Sequence, residues 1–144
     1  MRDNDSFTAA DIRKLFNLTR KTAEDWYSRG IYHASILCGK PGKGRLFAFG
    51  DLFAVHLARG LRNAGFSLET ISNATTAFYE QPFEDGKCVL VIIGDEPSIV
   101  TIDEARTLVD RGVPVAAVNL LAAGKELSDE IDRQQAIVAN AENN

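Results

Sequence analysis

The sequence predicts a mainly α fold with a β wing over residues 1–80, a linker at 81–87 and a small α/β unit over 88–144. Three observations lead there. Apolar residues recur at helical spacing through most of the first half, a glycine cluster breaks that spacing at 39–44, and short β-branched runs begin after residue 87. At 144 residues the chain has room for one domain or two small ones.

The first helix is expected to start at Thr8, whose hydroxyl can cap it, and to bury Ile12, Leu15 and Phe16. Asn17-Leu18 turns the chain. Thr19 then caps a second helix that runs to about Arg29 and stops at Gly30. ILCGKPGKGRLFAF follows, with Gly39, Pro41, Gly42 and Gly44 in close succession, a composition that suits a loop between two short strands, Ile36-Leu37 and Arg45–Phe47. A third helix over Asp51–Asn63 carries apolar residues at Leu52, Val55, Leu57 (or Ala58) and Leu61. Gly65 ends it, Ser67 caps a fourth helix, and Glu69 sits in its first turn, where the helix dipole favours an acid.

EQPFEDGK, residues 80–87, marks a boundary near residue 82, because Pro82 and Asp85-Gly86 punctuate strongly. CVLVIIG then reads as a buried strand, PSIVTI as a second, DEARTLVDRG as a helix capped by Asp103 and ended by Gly112, and VPVAAVNL as a third strand. A last helix from about Leu121 to Val138 sets Leu127, Ile131 and Val138 on one stripe with Leu120 before it, which suits packing on its own sheet or a dimer seam. An α/β unit of this size is marginal alone, so a partner to cover its sheet is also expected.

Charge divides unevenly. The net is −4, but residues 1–80 hold 11 Lys/Arg against 8 Asp/Glu, a net of +3, and residues 81–144 hold 5 against 12, a net of −7. A basic face can sit inside an acidic chain, and the local patch is what meets phosphate. No apolar run approaches the roughly 20 residues that span a bilayer. The polar start MRDNDSFTAADIRK is unlike a secretory signal, and Cys38 and Cys88 stand too far apart for a metal pair or disulfide framework, so a cytoplasmic protein with reduced thiols is expected. Neither the two histidines with these cysteines nor the acids Asp95, Glu96, Asp103 and Glu104 point to a metal, and no cofactor is implied. GKPGKG lacks the spacing and the Lys-Ser/Thr ending of a phosphate loop, and no nucleophile stands with a base, so no catalytic residue and no enzyme are predicted.

Two helices joined by a short turn, a basic glycine-rich wing and a further helix pair make the layout of a winged helix-turn-helix. In order and spacing, residues 7–77 resemble the MerR family of bacterial transcriptional regulators. TAADIRKLFNLTRKTAEDWYSRGIY resembles that family's opening helix-turn-helix, with Thr19 at the cap of the recognition helix. GRLFAFGDL resembles its wing-to-helix signature, with Arg45 and Phe47 where an arginine and an aromatic are usual, and GFSLETI stands at the family's distance from Asp51-Leu52. The resemblance implies that the second helix enters the major groove of double-stranded DNA while the wing follows the backbone. Thr19, Arg20, Lys21 and Thr22 would then reach base edges and phosphates, and Lys40, Lys43, Arg45 and Phe47 would serve from the wing.

Several positions depart from the family's pattern. Glu24 and Asp25 replace the usual arginine and aromatic, Ala48 replaces a serine cap, and Leu46 stands where a base is common. The long dimerising helix that follows the domain in many members is interrupted by Pro82 and Gly86. The reading is therefore a dimeric, sequence-specific DNA-binding regulator whose C-terminal unit dimerises or senses an unidentified effector. The alternatives are an architectural, excisionase-like DNA-bending protein, and a ligand-binding or protein-interaction module whose winged helix no longer grips DNA.

Overall fold

The computed structural model describes residues 5–39, 44–81 and 83–142. These form a mixed α/β structure with six helices and one three-stranded antiparallel sheet among the described residues. Helices α1 (Ala9–Phe16) and α2 (Arg20–Ser28) come first, then α3 (Phe49–Asn63) and α4 (Leu68–Glu80). Strands β1 (Lys87–Ile93) and β2 (Glu96–Thr101) follow, then α5 (Ile102–Asp110), β3 (Ala116–Asn119) and α6 (Leu120–Glu142).

The helix boundaries have local causes. Thr8 Oγ1 accepts from Asp11 N (3.2 Å) and Asp11 Oδ2 accepts from Thr8 N (2.8 Å), a reciprocal cap on α1. Leu15 is only half-buried where full burial was expected, while Ile12 and Phe16 are buried. Asn17 turns left-handed (φ 52°) to close α1. At the α3–α4 corner Gly65 has φ +96°, Phe66 N reaches back to Leu61 O, and Ser67 Oγ caps α4 by accepting from Thr70 N. Helix α3 begins two residues before Asp51, and the missing serine at Ala48 is offset from the other side: Asp51 Oδ2 accepts the Ala48 N–H at 2.8 Å.

In the second half the strands and helices fall where the periodicity put them, with changed edges. Gly94 (φ 62°) opens the two-residue β1–β2 turn. Helix α5 is capped by Thr101 and not by Asp103: Thr101 Oγ1 accepts from Glu104 N, while the exposed Asp103 faces Arg106. β3 shrinks to four residues, and α6 runs one residue earlier and four later than expected. The sheet order is β2-β1-β3, with Leu90 opposite Ile99 and Val118.

One apolar core crosses the punctuated stretch at 81–86. Leu90, Ile92, Ile99, Leu120, Leu127 and Ile131 belong to the same buried cluster as Ile12, Trp26, Leu52, Phe53 and Ile71. The outer sheet face (Cys88, Val89, Val91) is covered by Ala105 and Leu108 of α5. This corrects the dimer seam expected along α6. Leu120 and Leu127 are 1% exposed and Ile131 3%, all inside the chain's own core, because α6 lies across α3 and the sheet. Of the expected stripe only Val138 remains exposed.

Helix α6 comes close to α3 at Gly124, where an added Cβ would stand 2.8 Å from the Phe53 ring. Gly124→Ala gains up to about 1 kcal/mol of helix propensity but forces the ring aside at about 1–3 kcal/mol, so a net loss is expected by chemical denaturation. In a Phe53→Leu background the same substitution is expected to cost less, and equal cost in both backgrounds would refute the close approach.

Candidate nucleic-acid interface

The residues expected to read DNA lie on α2, so its placement decides what they can reach. Thr19 Oγ1 accepts from Thr22 N (3.1 Å) and donates to Thr22 Oγ1 (3.0 Å), which commits both hydroxyls to the helix cap. Ala23 and Trp26 face the core, and the Tyr32 hydroxyl donates to Ala23 O at 2.8 Å, pinning the helix backbone from below. Burial, helped by the Glu24 charge, pushes the Tyr32 phenol up to about 12. The opposite side of the first turn presents Arg20 and Lys21, both exposed and neither in an ion pair among the described residues.

The two acids that set this helix apart from the resemblance are neutralised. Arg45 Nη1 donates to both carboxylate oxygens of Glu24 at 3.0 and 3.2 Å, and its guanidinium lies 4.0 Å from the Tyr27 ring centre. Arg29 Nε pairs with Asp25 at 3.0 Å on the exposed surface. Both charges that would repel phosphate therefore carry a cation beside them.

The same contacts correct two expected wing residues. Arg45 has a side chain only 10% exposed and turns onto α2 instead of pointing outward, because the Glu24 carboxylate and the Tyr27 face replace the water its guanidinium gives up. Phe47 is 1% exposed and packs edge-on to Tyr27 and against Tyr32, within the core. Lys40 and Lys43 lie outside the described residues. The expected strands are single bridges: Leu46 pairs with Leu37, and Phe47 with Phe7, so residues 46–47 run between two neighbours. Ile36 and Leu37 are about half exposed (47% and 50%) on the outer side of this strip.

A polar network that sequence reasoning missed joins the backbone at Ser35 and Ala48 to α3 and α4. Asp51 is completely buried, and its carboxylate accepts four hydrogen bonds. They come from Ser35 N (2.9 Å), Ser35 Oγ (2.6 Å), Ala48 N (2.8 Å) and the Tyr79 hydroxyl (2.7 Å). The Tyr79 oxygen in turn accepts from His33 N at 3.1 Å. Burial, then the adjacent Asp51 charge and hydrogen bond, raise the Tyr79 phenol far above the usual range, so it stays a donor. The one signal in the sequence is an acid inside an apolar run; three of its four bonds come from Ser35 and Tyr79, 16 and 28 residues away.

The histidines and cysteines lie on different elements. His33 stacks near Tyr79, His56 lies on α3, Cys38 is exposed and Cys88 is buried in the outer sheet cluster. Burial lowers the His56 pKa, with Glu126 opposing the shift and Arg59 adding to it. Among the described residues no group of three or more His, Cys, Asp or Glu could hold a metal ion, and no helix is long and apolar enough to cross a membrane. No protein-family model matches the chain, and no curated protein does either.

Proposed function

We propose that this protein is a sequence-specific DNA-binding transcriptional regulator, with α1 and α2 as a helix-turn-helix, residues 36–47 as its wing, and a dimer as the working form. One observation carries the reading: α2 offers Arg20 and Lys21 from its first turn while its other face is locked into the core. A rigid helix that extends cations at its exposed end suits entry into a major groove, where arginine recognises guanine and lysine meets phosphate. Pairing of Glu24 and Asp25 supports it by removing the repulsion those acids would otherwise bring.

The test is a titration at two salt concentrations with fragments from upstream of the protein's own gene and a scrambled control. Binding is expected to be selective and to weaken steeply with salt, since phosphate contacts release counterions. Lys21→Ala is expected to reduce the salt slope by about 1, and Arg20→Ala to cost about 1–3 kcal/mol at the preferred site. Arg45→Ala is expected to weaken binding without removing a phosphate contact, because it leaves Glu24 unpaired on α2. Weak, unselective binding indifferent to Arg20 and Lys21 would defeat the proposal. The inward turn of Arg45 and Phe47 favours a second reading, in which the exposed Ile36-Leu37 edge docks a protein and DNA is not bound.

A further inference from the structure

The sheet has two edges, and they are treated differently. β2 packs beside α4 and carries Glu96 and Pro97, both of which discourage strand addition. β3 reads Ala-Ala-Val-Asn, with no charge and no proline. It pairs with β1 on one side, and among the described residues Ala116, Ala117 and Val118 make no backbone hydrogen bond on the other. In an antiparallel ladder alternate residues point their N–H and C=O groups outward, so about half of this short strand offers open donors and acceptors.

That edge opens into a groove of about 500 Å³ between β3 and the C-terminal half of α3. Its floor includes Leu57, Leu61 and Phe66, and it is lined by Arg59 and the half-buried His56 on α3 and by Glu126 on α6, burial holding His56 toward its neutral form so that Arg59 and Glu126 are its charged groups. Both are exposed, and neither is ion-paired among the described residues.

We propose that β3 of a second copy of this chain adds antiparallel to β3, joining two sheets into one of six strands about a two-fold axis. Three features select a second copy as the occupant. An uncharged four-residue strand is self-complementary when paired antiparallel, its small Ala116 and Val118 side chains suit the apolar groove floor, and one Arg with one Glu gives each copy the partner the other needs. A two-fold interface requires such reciprocity. The pairing also replaces the α6 seam, whose residues are buried in the chain's own core. It stands on the sheet edge and does not depend on DNA binding.

The experiment is sedimentation velocity of the full chain over a dilution series, with hydrogen exchange at the low and high ends. A species of twice 15.7 kDa is expected at high concentration, with the outward amides of β3 protected only there. Arg59→Glu and Glu126→Arg each raise the dissociation constant about tenfold or more, and the double swap restores it. Circular dichroism should be unchanged in all three, since both residues are exposed. A single-chain mass throughout, or a dimer in which β3 amides stay unprotected or neither swap changes the constant, overturns the proposal. Protection of those amides only after an unrelated extended peptide is added would assign the edge to another protein and overturn it equally.

Discussion

Asp51→Asn is expected to lose about 3–4 kcal/mol of folding free energy and to melt roughly 10 °C lower. The carboxylate is an acceptor at both oxygens, and every group around it is a donor: two backbone N–H groups, a serine hydroxyl and a tyrosine hydroxyl. An amide of the same shape has to set its N–H₂ against the Ser35 and Tyr79 hydroxyls, which must turn round to accept and so lose the acceptor for their own hydrogens, in a place with no exposure to water. Tyr79→Phe should cost less, about 1–2 kcal/mol, because it removes one donor, and the exposed His33 N–H that it also leaves can turn to solvent. Urea denaturation followed by circular dichroism gives both values. A loss below about 1 kcal/mol for Asp51→Asn would mean that water or the reversed hydroxyls satisfy the amide. The consequence for function is positional. Ser35 and Ala48 lie on either side of Leu37 and Leu46, and Tyr79 belongs to α4, so one carboxylate ties the backbone at 35 and 48 to the helices.

The second large effect is at Phe47. Phe47→Ala is expected to destabilise the fold by about 3–5 kcal/mol, the cost of emptying a buried aromatic site. The ring meets Tyr32 at 5.7 Å and Tyr27 at 6.3 Å between centres, and its backbone pairs with Phe7 through two bonds of 2.9 Å. A residue that touched DNA would behave in the opposite way, with stability unchanged within about 0.5 kcal/mol and affinity reduced. Denaturation midpoints for Phe47→Ala, set beside a DNA titration at a temperature where the variant is folded, separate the two roles. A stable variant with lost affinity would return Phe47 to the interface.

These two residues show where sequence reasoning reached and where it stopped. Phe47 was legible as an important aromatic beside a glycine loop, but its side depends on a pairing with Phe7, 40 residues earlier. Arg45 was legible as a cation on a wing, and its sequestration depends on Glu24 and Tyr27 in another element. Glu24 and Asp25 look hostile to phosphate when read along the chain, and each acquires an arginine only in three dimensions. The stripe on α6 was legible as apolar, but periodicity does not say which surface a stripe meets.

What the sequence determined by itself is local. Thr8, Thr19 and Ser67 start helices because a hydroxyl reaches a backbone N–H within three residues, and Gly30 and Gly65 end them because a positive φ costs glycine little. Helical and strand periods likewise act over a few residues, so the elements of both halves could be read in order. The tertiary structure alone decided which charges are free, which stripe is buried and which strand edge is open. Those outcomes depend on desolvation and pairing between groups far apart in the chain, and a linear pattern contains no term for that distance.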